Sequence, residues 1–288
     1  MTSSMNTNTG IVTSEDGTTI GYRQLGSGPG VVLLHGAMSS GYNLVALAEA
    51  LADAFTVYVP DRRGRGLSEP YGEDNGIKED VEDLDALLTK TGAHNVFGLS
   101  SGGIITLQAA LRLPAIHKAA IFEPPLFADG SAQTAFLTRL DREIAQGNVA
   151  AALITGMQGA QMGPPIFRLM PRRLLELLVN MAMKSEEKKS SDGYVTMRVL
   201  APTLHYDFQL VVEMSGNLER FKGVRSEVLL LGGGKSPAYL KAAVDALEKV
   251  LPHVTRTGFP GLDHAASWNT DRGGRPEPVA QELRRFFG

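Results

Sequence analysis

The chain has 288 residues, 43% of them hydrophobic and 20% charged, enough for one large domain with an insertion or for two small ones. A formal net charge of -3 leaves no electrostatic footprint for nucleic acid or an anionic membrane, so a neutral or weakly charged substrate is expected. The absence of Cys excludes disulfides, thiolate catalysis and Cys-based metal sites, and fits a reducing compartment.

Residues 1–10, MTSSMNTNTG, are polar and lack the apolar core of a secretory signal. They read as a disordered tail. No run approaches the ~18 apolar residues of a membrane span, and the expected location is the cytoplasm. Residues 11–15 and 18–25 are β-rich and flank Asp16-Gly17, which predicts a hairpin. Residues 31–34 are apolar throughout, as in a parallel strand buried on both faces. Leu44, Leu47, Ala48 and Leu51 then follow a helical period, 55–59 form the next strand, and 77–90 an amphipathic helix ended by Gly92.

Residues 96–99 read as a buried strand and 104–113 as a helix, so Ser100 falls on the turn between them. After a strand at 119–122 the alternation breaks, because residues 126 to about 220 look helical and hold seven of the ten Met. It resumes with a strand at 227–231, a helix at 237–250, a strand at 254–259 and a last helix at 278–287. Strand and helix in alternation predict an α/β fold with a mostly parallel central sheet. The boundaries expected are a core of 11–124 and 221–288, with a helical cap inserted at 125–220.

Gly98-Leu99-Ser100-Ser101-Gly102 fits G-x-S-x-G in the strand, turn and helix context that a nucleophile turn requires. Only very small residues fit two positions away on either side. The N-terminus of the following helix favours negative charge developing beside Ser100.

With LLHGAMSS, PDRRGRGLS and GLDH, this stretch makes the sequence resemble the α/β-hydrolase superfamily over about residues 15–125 and 221–288. The resemblance implies a cap-bearing serine esterase or lactonase with Ser100 as nucleophile. A serine hydroxyl needs a base, and His264 in Gly261-Leu262-Asp263-His264 stands where the family carries its catalytic His. Ala37 and Ser101 match the positions that donate N–H groups to an oxyanion, with Met38 as the substitute if the loop is shifted by one. His35 is expected to shape its turn, and His94, His117, His205 and His253 have no motif support. The Asp61–Ser68 turn, with three Arg, is expected to brace loops around the site.

One position departs from the family pattern. An Asp is expected in the loop after the strand at 227–231, but the sequence there is Gly233-Gly234-Lys235-Ser236-Pro237, with Ser236 in the acid's place. Some hydrolases of this fold, lactonases among them, carry the acid as a Glu after the strand following the nucleophile helix. Glu123 holds that position, and adjacent strand ends are about 5 Å apart, which a Glu side chain spans. Asp207 is the alternative acid and Asp263 the third choice.

The expected activity is hydrolysis of a carboxylic ester or lactone with an apolar moiety through an acyl-enzyme on Ser100. C–C bond hydrolysis, cofactor-free lyase or perhydrolase chemistry, and a non-catalytic small-molecule receptor are the alternatives. Dehalogenase and epoxide-hydrolase chemistry is disfavoured because it uses a carboxylate nucleophile. No cofactor or metal is expected, and the expected partner is a small apolar ester-type substrate, without nucleic acid or membrane, in a chain compatible with a homodimer.

Overall fold

In a computed structural model, the described residues are 7–72, 75–130, 135–162, 165–189 and 192–288. The hairpin forms from β1 (Asn8–Thr13) and β2 (Thr19–Leu25), paired antiparallel with Thr13 opposite Thr19. Its turn closes when Ser14 N–H donates to the Thr18 carbonyl at 2.8 Å. The expected tail therefore ends too late: residues 8–10 are strand, because β2 supplies a full row of partners for them. Residues 1–6 of that tail lie outside the described residues.

The core continues through β3 (Gly30–Leu34), α1 (Val45–Glu49), β4 (Thr56–Pro60), α2 (Ile77–Thr91), β5 (Asn95–Leu99), α3 (Ser101–Arg112) and β6 (Lys118–Phe122). Between β6 and the next strand, the described secondary structure is helical: α4 (Leu137–Ala145), α5 (Val149–Gly159), α6 (Arg172–Lys189), α7 (Met197–Leu200) and α8 (Leu204–Met214), with short 3-10 turns. The chain closes with β7 (Glu227–Gly233), α9 (Ala238–Val250), β8 (Val254–Phe259) and α10 (Pro276–Phe287).

The strands form one eight-stranded sheet in the order β1-β2-β4-β3-β5-β6-β7-β8, parallel from β4 to β8. Successive side chains of a strand point to opposite faces. Val32, Leu34 and Val96 accordingly join a core layer with α2, α3 and α9, while Val31, Leu33, Phe97 and Leu99 join another with α1 and α10. The apolar run of β3 is thus spent on two helical layers, as a parallel sheet demands. A third cluster within the inserted helices, built on Leu140, Leu153, Met183 and Leu204, reaches back to pack against Ala37 and Met38 after β3.

Strand β5 sits between β3 and β6, so the turn after it opens at the middle of the sheet's carboxyl edge. Helix α3 starts at once behind that turn, three residues earlier than the sequence period suggests, because Ser101-Gly102-Gly103 is helical without being apolar. The close approach depends on Gly98. A Cβ there would overlap the Gly102 carbonyl and the Thr106 hydroxyl, whereas a Cβ at Gly261 meets nothing within 4 Å. Gly98→Ala is expected to destabilise the fold by about 1–3 kcal/mol in urea unfolding, and Gly261→Ala to stay within about 0.5 kcal/mol.

Candidate active site

Ser100 has φ 57° and ψ -121°, a left-handed conformation that side chains rarely adopt. Its N–H donates to the Phe122 carbonyl at 2.9 Å, and its own carbonyl accepts from Gly103 N–H at 2.8 Å and Ile104 N–H at 3.1 Å. The backbone is therefore held between the end of β6 and the first turn of α3. Gly36 passes so near that a Cβ there would lie 2.8 Å from that of Ser100. Among the described residues four non-glycines have positive φ: Met38, Ser100, Glu123 and Gln161. Three of them line one cavity and the fourth, Glu123, contacts His264 of the same lining, so the positive-φ side chains among the described residues gather around it.

That cavity measures about 740 Å³. Gly36, Ala37, Met38, Ser100, Ser101 and His264 line one end, and apolar side chains of the inserted helices, including Leu153, Met157 and Phe208, line the other. Among the described residues, the N–H groups of Ala37 and Ser101 have no acceptor within the protein. Both residues line the end of the cavity that holds Ser100, where an oxygen bearing negative charge could use such donors. Of the Met-rich segment, Met157, Met162 and Met197 line the cavity, Met183 and Met214 are buried in the packing, and Met181 is exposed.

Glu123 follows β6, fully buried, with its N–H on the Leu231 carbonyl at 3.2 Å. One carboxylate oxygen, Oε1, accepts from Gly233 N–H at 2.6 Å, and the other, Oε2, is 2.8 Å from Nδ1 of His264. The ring of His264 comes from the loop after β8, so the pair bridges the ends of β6 and β8 across β7. Gly232 leaves the room, since a Cβ there would sit 3.3 Å from Oε1. A carboxylate on Nδ1 selects the tautomer that frees Nε2. Burial, and behind it the Glu123 charge, push the phenol of Tyr239, which also lines the cavity, up to about 12.

The structure does not bring Asp207 to His264. Asp207 on α8 is buried against Arg62 at 2.7 Å, Arg65 at 2.5 Å and the Ser101 hydroxyl at 2.8 Å. Asp263 accepts from Ala265 N–H at 3.0 Å in its own turn, and Ser236 Oγ is buried without a partner among the described residues. His35 is buried with Nε2 accepting Arg62 N–H at 3.0 Å and Nδ1 on the Gly36 carbonyl at 3.0 Å. Burial first, then Arg65 and Arg62, hold its pKa well below the usual value, so it ties two loops together as a neutral ring. His94 and His117 stack on each other, His205 pairs with Asp141, and His253 is exposed.

The Asp61–Ser68 turn carries an ion-pair network that sequence spacing did not reveal. Asp61 accepts from Arg23 at 2.9 Å and Gly41 N–H at 2.6 Å, Arg62 reaches Asp80 and Asp207, and Arg63 reaches Asp16 and Asp83. Asp207 thus fastens the inserted helices to the residue after Ser100. Helix α8 carries two acids, Asp207 and Glu213, and their spacing in the sequence does not say which of them meets the arginines.

Burial alone would raise the Asp207 carboxyl, but Arg65 and Arg62 outweigh it and hold the group below the ordinary range. Its folded pKa lies below the unfolded one, so its contribution is present above the unfolded value and is lost as pH falls through the folded value. Asp207→Asn should cost about 3–5 kcal/mol at neutral pH, a gap that narrows below about pH 4. Urea unfolding of both proteins across that range measures it.

Among the described residues no helix is long and apolar enough to cross a membrane, and no group of three His, Asp or Glu is arranged to hold a metal ion. A sequence profile of the alpha/beta hydrolase family matches residues 31–282. An alpha/beta hydrolase from Sphaerobacter thermophilus is 31% identical and superposes with a TM-score of 0.79, covering 97% of this chain and 100% of that one. A thermophilic esterase from Thermogutta terrifontis shares the fold at 17% identity and TM-score 0.69, over 97% of this chain and 98% of its own. The hydrolase YraK of Bacillus subtilis is 34% identical over 116 residues, 38% of this chain and 42% of YraK. Pimeloyl-[acyl-carrier protein] methyl ester esterase of Nitrosospira multiformis is 41% identical over 98 residues, 32% of this chain and 36% of that protein. The chain thus spans less than half the length of these two curated relatives. With the profile matched over most of its length and a similar structure over nearly all of it, the chain belongs to the alpha/beta hydrolase family.

Proposed function

We propose that this chain is a serine hydrolase that cleaves a carboxylic ester or lactone with an apolar moiety. The observation that carries the reading is the Glu123–His264 contact of 2.8 Å beside a left-handed Ser100 on the wall of the same apolar cavity. In this mechanism Glu123 holds His264 through Nδ1, and Nε2 takes the proton of Ser100 Oγ as it attacks the carbonyl. The N–H groups of Ala37 and Ser101 receive the oxyanion. His264 then protonates the leaving alcohol, and water, deprotonated by the same ring, releases the acid from Ser100.

Residues 125–220 act as the cap over a core of 8–124 and 221–288, because their helices supply the apolar end of the cavity. That lining favours an acyl or alcohol group without charge and keeps water from the acyl-enzyme. A receptor without turnover was motivated by Ser236 in the acid's place. The pairing of His264 with Glu123 supports hydrolysis instead.

A fluorophosphonate should label the protein once, seen in its intact mass, and the label should vanish in Ser100→Ala. On p-nitrophenyl butyrate, Ser100→Ala is expected to lose at least about 10³-fold in kcat, and Glu123→Gln about 10²- to 10⁴-fold with the fold intact. Labelling of Ser100→Ala equal to wild type, or Glu123→Gln within tenfold of wild type, would sink the assignment of that residue.

A further inference from the structure

Seven of the eleven large apolar side chains exposed among the described residues fall between Met162 and Met181. Single exposed apolar residues need no explanation, but a contiguous patch marks an interaction surface. Its centre is α6, an 18-residue helix that is apolar on two sides. At about 100° per residue, Leu175, Val179 and Ala182 fall on the side that lines the cavity. Leu174, Leu177, Leu178 and Met181 share a second sector about 100° wide, and this one faces solvent, with Leu177 exposed by 56% and Met181 by 59%.

Charge is sorted around that outer sector. Arg173 and Lys184 border its Leu177 edge, Lys188 continues it toward the helix end, and none of the three has an ion-pair partner among the described residues. The three acids of α6 lie outside it and are occupied: Glu176 with Arg172, Glu186 with Tyr194 and Met197, Glu187 with Arg198. The net charge of the whole chain conceals this local separation. An apolar stripe bordered along one edge by unpaired cations matches an anionic lipid interface. A second copy packed on the same face would set these cations against each other across a twofold axis, which costs energy.

The face also runs into the cavity. Met162 and Leu178 are each exposed and each line it, so the apolar lining of the cavity reaches the outer face at these two side chains. We propose that the outer face of α6 docks on an anionic lipid surface and presents esters dissolved there to the cavity. Docking adds the source of the substrate to the function above, and delivery to Ser100 rests on that function.

The test is cosedimentation of the whole chain with vesicles of phosphatidylcholine, alone or with one third phosphatidylglycerol. Wild type should bind the mixed vesicles and release them in high salt. Leu177→Glu with Met181→Glu, and separately Lys184→Glu with Lys188→Glu, should each weaken binding by about tenfold or more, with thermal unfolding unchanged. Wild type remaining in the supernatant, or equal binding by the first double variant, overturns the docking. A dimer in light scattering that this variant dissolves, without vesicle binding, assigns the face to a second copy instead. Binding needs no turnover, so fluorophosphonate labelling without vesicles separates a failure of docking from a failure of the serine mechanism.

Discussion

The left-handed turn at Ser100 is the constraint on which the rest of the site depends. Such a conformation costs about 1–3 kcal/mol and persists only where its surroundings over-determine it. Here they do so from three directions. The end of β6 accepts the Ser100 N–H, the first turn of α3 takes its carbonyl, and the loop after β3 comes so near that position 36 has no room for a side chain. A Cβ on Gly102 would sit 2.6 Å from the carbonyls of Leu34 and His35. Each small residue therefore marks a place where one backbone passes against another, and together these passages set the loop that carries Ala37 beside the serine.

The same crowding explains why an acid can change strands without changing its task. Glu123 begins one strand nearer to Ser100 than the loop that holds Ser236, and it too has a positive φ. Its extra methylene carries the carboxylate past Gly232 to Gly233 N–H and the ring of His264. An Asp at this position would fall short by about the length of a C–C bond. Buried carboxylates need their oxygens satisfied, and here one oxygen has a backbone donor and the other an imidazole, so neither is left unpaired. At the position where the family pattern puts an Asp, the buried hydroxyl of Ser236 has no partner among the described residues.

The inserted helices are tied to the sheet by charge as much as by apolar packing. Asp207 sits where two arginines and the Ser101 hydroxyl converge, so any motion of α8 is felt at the residue that follows the serine. Buried ion pairs are weak contributors to net stability but strong determinants of geometry, because breaking one strands its partner. Helix α6, by contrast, offers apolar side chains to the cavity on one side and to solvent on the other.

Much of this was legible in the order of residues. The all-apolar run of β3, the turn at Gly98–Gly102 and the return of strand and helix after residue 226 fixed an α/β sheet with Ser100 at its carboxyl edge, because side-chain period and turn sterics are local. The placement of Glu123 and His264, 141 residues apart, needed the strand order that sets β6, β7 and β8 side by side. What local pattern does not encode is partnership at long range. Asp207 reads as an alternative acid until the fold shows two guanidiniums already holding it. Likewise, the apolar residues of α6 read as ordinary helix packing until tertiary structure shows which of its two apolar faces the cavity takes and which it leaves in water.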